Sequence, residues 1–136
     1  MGQGQDLDEV EVTSRADLRK WLETNHASSP SVWLVTWKKH TPHYVPFGDL
    51  IEELLCWGWV DSRTRGVDAD RSRVLIAPRS PKSAWSAVNK AKVESARASG
   101  AMTEAGEARI LAAKANGMWS FLDDVERLER PDDLTM

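Results

Sequence analysis

Cys56, Asp61, Arg63 and Arg79 are the side chains of this 136-residue chain best suited to chemistry, and one stretch, Leu54 to Ser86, contains them all. It reads LLCWGWVDSRTRGVDADRSRVLIAPRSPKSAWS. It holds the single cysteine, three of the seven tryptophans, and five arginines (Arg63, Arg65, Arg71, Arg73, Arg79) with Lys82 beside them. Arg79, Lys82 and Ser83 stand just before an expected helix start. Together with the free backbone N–H groups of 84–86 they would form a cup for an anion. Trp59, Asp61, Arg63, Trp85, Ser86 and Asn89 complete the candidate ligand-binding set, since aromatics next to arginines can stack on a ring. Such a set binds; it specifies no reaction and calls for no cofactor.

A catalytic reading would rest on Asp61 or Cys56. Cys56 falls late in a predicted helix, where the dipole disfavours a thiolate, so a small buried residue is expected. Asp61 is expected to orient an arginine or an indole N–H; a general base would need a raised pKa and a cleft. Ser86 has no base placed beside it. His40 and His43 share a proline-containing loop without a cysteine or carboxylate at ligand spacing, and no metal is expected. No phosphate-binding glycine loop, nucleophile elbow, HExxH or paired CxxC occurs.

The net charge of −3 conceals a pattern. Lys and Arg number 5 against 9 Asp and Glu over residues 1–60, 9 against 4 over 61–100, and 4 against 8 over 101–136. A basic middle suits a small anionic ligand; a nucleic-acid-binding domain using the cations of 63–97 is an alternative, against which the acidic ends argue. A cationic peptide or protein partner would instead meet the acidic ends, at residues such as Asp123, Asp124, Glu126 and Glu129. One cysteine allows no internal disulfide, and no run of about 18 apolar residues predicts a membrane span. The opening MGQGQDLDEVEV has no basic start and apolar core, so a cytoplasmic location is expected.

The elements that would position these groups follow from periodicity. Residues 1–12 are expected to be a loose end, with Val10 and Val12 able to reach a sheet edge. Ser14 and Asp17 form a variant capping box before a helix from about Arg15 to Thr24. Ser31 to Lys38 is β-branched and aromatic on both faces, an interior strand. Leu50, Ile51, Leu54 and Leu55 stripe a second helix from Phe47 to Trp57, closed by Gly58. Trp59 to Arg63 and Arg73 to Pro78 predict a hairpin across the 67–70 turn. Ser83 is expected to cap a helix from about Ala84 to Ala98, closed by Gly100. Thr103 is expected to cap another, ended by Asn116 and Gly117. The tail from 124 is charged and expected to be loose. The sum is a single α+β domain over 1–136: a small, mostly antiparallel sheet of about three strands with about four helices.

Several blocks, in order, resemble one family. They are the Leu-Cys-aromatic-Gly-Trp-Val-Asp run at Leu55 to Asp61, Pro78-Arg79, the Ser-x-Trp-Ser-x-x-Asn run at Ser83 to Asn89, and Arg97 to Gly106. Ala112 to Trp119 joins them. The sequence is similar, over about Leu18 to Trp119, to the YdeI/OmpD-associated family, also labelled bacteriocin-protection proteins. The resemblance implies a stress-protection role, in tolerance of cationic antimicrobial peptides or bacteriocins, and association with an outer-membrane porin. It implies a periplasmic setting for some members, and no assigned catalytic residues or cofactor.

Overall fold

The computed structural model describes residues 7–123. The order of elements is β1 (Glu9–Glu11), α1 (Arg15–Asn25), β2 (Val32–Trp37), α2 (Phe47–Cys56), β3 (Trp59–Gly66), β4 (Arg71–Pro78), α3 (Ala87–Ser99) and α4 (Glu104–Asn116). The fold is α+β, as expected, with one strand more. The sheet runs β1-β2-β4-β3. β2–β4 and β3–β4 are antiparallel and β1–β2 is parallel. The extra strand lies inside the stretch expected to be loose, where Glu9 to Glu11 pair with Trp33 to Val35. Residues 1–6 and 124–136, the rest of the expected loose ends, lie outside the described residues.

β2 is buried on both faces, by different means. Val32 and Leu34 join Val74, Ile76 and Val10 on the face that meets Leu18 and Leu22 of α1 and Leu50 and Leu54 of α2. On the other face Trp33 and Val35 are also buried. There the Arg73 guanidinium lies 4.3 Å from the Trp33 ring and pairs with Glu9 at 2.7 Å. Arg71 lies 5.6 Å from Trp37 and pairs with Asp68 at 2.8 Å and Glu11 at 3.3 Å. Arginine stems thus cover aromatic surface while their heads remain ion-paired.

α2 belongs to two cores. Leu50 and Leu54 face the sheet, Leu55 faces Trp85, Val93, Ile110 and Ala113 of the α3–α4 layer, and Ile51 touches both. Its buried Glu53 ties it to α1, accepting from Arg15 Nε at 2.7 Å, Arg19 Nη1 at 2.9 Å and Trp57 Nε1 at 2.8 Å. Three donors on one carboxylate offset the cost of burying its charge.

Helix ends follow the local chemistry, with one exception. Ser14 caps α1, accepting from Asp17 N at 3.0 Å, and Thr103 caps α4. Gly58, Gly100 and Gly117 take positive φ where their helices stop. The exception is α3, which starts at Ala87 with Ser86 as its cap, not at Ala84 with Ser83. Trp85 is buried against Trp119, and its N–H donates to the Met118 carbonyl, which holds the preceding segment out of the helix.

Candidate functional site

Arg79 leaves the end of β4 and turns inward, 3 % exposed. It lies flat on the buried Trp85, its guanidinium carbon 3.8 Å from the ring centroid. One nitrogen, Nη2, donates to the Ala84 carbonyl at 2.7 Å. Among the described residues Nε and Nη1 have no partner. Burial pushes the guanidinium down to about 10, and nearby Asp61 opposes that shift. A buried cation with two idle donors is expensive, because desolvation is uncompensated by hydrogen bonds.

Asp61, Asn89, Trp59 and Arg79 line one small cleft beneath β3, walled by Ile51, Leu54 and Leu55 of α2. Register places Asp61 opposite Ile76, hence on the helix-facing side of the edge strand. Ser86 caps α3 and accepts from Asn89 N at 3.1 Å, which fixes the first turn that carries Asn89. The free interior is about 10 Å³, room for one water-sized group or one ligand oxygen.

The structure therefore gathers Trp59, Asp61, Arg79 and Asn89 of the expected set, with Trp85 as the floor under Arg79. It disperses the others. Lys82 is exposed, and Ser83 sits in a turn, its N–H donating to the Ser80 carbonyl. Arg63 is exposed on β3 within the register shift between Asp61 and Thr64. The expected cup of Lys82, Ser83 and the N–H groups of 84–86 is thus not formed, because the helix begins three residues later.

Cys56 ends α2 fully buried. Burial first, and the neighbouring Glu53 second, push its thiol up to about 11, so it is protonated and unreactive at neutral pH. His40 bonds Asp70 at 2.8 Å and His43 packs on Trp37, so the two histidines serve different neighbours. Among the described residues no group of three or more His, Cys, Asp or Glu is placed to hold a metal ion. Among them, too, no helix is long and apolar enough to cross a membrane. Asp123, one of the expected contacts for a cationic peptide, pairs with Lys90 at 2.6 Å; Asp124, Glu126 and Glu129 lie outside the described residues.

Two features escaped the sequence reading. One is the Glu53 knot, whose Arg15–Arg19 and Glu53–Trp57 pairs each have helical i,i+4 spacing, a signal that was available. The other is a cleft on the far side of Pro78, where His26, Trp57 and Arg109 converge from separate elements; no local spacing announces it.

Fold and site together define a small α+β domain built around a buried, partly unsatisfied arginine. Residues 10–109 match the family described as Domain of unknown function (DUF8412), and the chain belongs to that family. Neither the curated proteins nor the solved structures contain a match to the chain.

Proposed function

We propose that this domain is a binding module whose Arg79 receives one oxygen of a small anionic ligand. The observation that carries the reading is the pair of idle donors on a guanidinium 3 % exposed. An anionic oxygen set between Nε or Nη1 of Arg79 and the Asn89 amide would supply the missing acceptor, and charge-assisted bonds of this kind are strong enough to act against the repulsion of Asp61 on the same wall. The cleft admits one such atom, so the body of the ligand stays outside, over the α2–α3 side of β3. The resemblance to bacteriocin-protection proteins gives this binding a stress-protection role. The reading needs no catalytic group; of the two residues a catalytic alternative would use, Asp61 and Cys56, the second is a protonated thiol.

Seven indoles, two of them in this site, make the chain its own reporter. Tryptophan fluorescence is titrated with phosphate, sulfate and a nucleoside monophosphate, using the full chain. A saturable change that disappears in Arg79→Met and persists in Arg109→Gln is expected. Silence across the panel would assign the cleft to a resident water, and a response untouched by Arg79→Met would place the anion elsewhere; either result removes the proposal.

A further inference from the structure

The cleft on the other side of Pro78 has a volume of about 560 Å³, within the range of small-molecule sites. Its composition is selective. Pro30, Pro78, Trp57, Ala105 and Ala108 supply apolar wall, and among the described residues no Asp or Glu lines it. Its one fixed charge is Arg109, which makes no ion pair among the described residues. On a chain of net charge −3, an unopposed cation in a concave, partly apolar site is an anion trap.

Arg109 is also held in place. Its stem crosses the bare α-carbon of Gly58, where a Cβ would come within 2.5 Å of Arg109 Cγ. Its Nη1 donates to the Arg79 carbonyl. A guanidinium has five N–H groups, so others remain for a ligand, and the bond already made anchors one end of the head. His26 is fixed as well. Its Nδ1 lies 2.9 Å from the Leu22 carbonyl, and only an N–H can bond a carbonyl, so the proton of the neutral ring is on Nδ1 and the lone pair on Nε2. The ring packs on Trp57 with centroids 4.9 Å apart.

We infer that the His26–Trp57–Arg109 cleft is a second binding site, for an organic monocarboxylate with an apolar body. One guanidinium matches one carboxylate in charge and in planar geometry. The proline, alanine and indole walls take the hydrocarbon part. A phosphate dianion would find a single cation here, with Ser28 and Ser29 as the other polar side chains beside His26. The site is separate from the Arg79 cleft and does not depend on it.

Benzoate is the probe, with benzamide as its neutral isostere. Binding to the full chain is followed by ¹H–¹⁵N NMR through the His26 amide, the Trp57 indole N–H and the Arg109 Nε–H. Benzoate should shift these signals saturably and bind at least tenfold more tightly than benzamide. Arg109→Gln should weaken benzoate at least tenfold. Ala108→Glu, at an exposed position that leaves the Arg109 anchor intact, should do the same by placing a carboxylate in the wall. Arg79→Met should leave the shifts unchanged, which separates this site from the first. No saturable shift, equal binding of benzamide, or benzoate affinity unchanged in both Arg109→Gln and Ala108→Glu would overturn the inference.

Discussion

Gly106 packs its α-carbon against the backbone of Cys56: a Cβ there would lie 2.5 Å from the Cys56 carbonyl oxygen and 2.7 Å from that of Leu55. The same Cys56 carbonyl accepts from both Thr103 N and Thr103 Oγ1. The first turn of α4 is therefore seated directly on the last turn of α2. That seating carries Arg109, one turn on, across Gly58 and onto the Arg79 carbonyl, so both candidate sites depend on it.

The seating predicts a reversal of helix propensity. In an exposed helix, Gly→Ala gains up to about 1 kcal/mol. Gly106→Ala should instead lose about 2 kcal/mol, because backbone oxygens cannot turn aside as a side chain would and overpacking of this kind costs about 1–3 kcal/mol. Urea denaturation should show a lower midpoint at unchanged slope. Gly66→Ala, where nothing among the described residues lies within 4 Å, is the reference and should change stability by under about 1 kcal/mol. A Gly106→Ala protein as stable as the parent would mean that α4 is not docked this closely.

Arg79 distinguishes a binding residue from a structural one through stability alone. Removing one member of a satisfied buried ion pair costs about 3–5 kcal/mol. Arg79 instead has two idle donors, one backbone bond and a stacked indole. Arg79→Met keeps the stem over Trp85 and removes the unsatisfied charge. The unliganded variant should therefore lie within about 1 kcal/mol of the parent. A loss of about 3 kcal/mol or more would show that Arg79 is a structural cation already satisfied inside the protein.

What could be read from the sequence was local. Ser14 and Thr103 as caps, the α2 stripe and the glycines at 58, 100 and 117 each act within one turn, so residue type and spacing suffice. The α3 start was misplaced because Ser83 and Ser86 are both competent caps. Trp85 decides between them by its burial beside Trp119, a tertiary event. β1 is three residues long and pairs in parallel with a strand beyond α1, so hydrophobic alternation had little length in which to show. The site was half legible for the same reason. Arg79 and Asp61 stood in the right stretch, with Asn89 three residues beyond it, whereas His26 and Arg109 share a cleft only through the seating of α4 on α2.

Cys56 supplies a pH-dependent test of the second core. Burial and then Glu53 push its thiol up to about 11 in the folded protein, from an ordinary value of 9.0. A raised folded pKa means that the folded state keeps a proton the unfolded state gives up first. The resulting stabilisation is complete below about pH 9 and falls as pH rises toward 11. The stability advantage of the parent over Cys56→Ala should shrink by about 1–2 kcal/mol between pH 7 and pH 10, as measured by urea titration at each pH. Thiol-reagent labelling at pH 8 should proceed no faster than unfolding exposes the residue. A parent-to-variant gap that is flat with pH, or rapid labelling of the folded chain, would show that the C-terminal turn of α2 opens to solvent and that α4 is not seated on it.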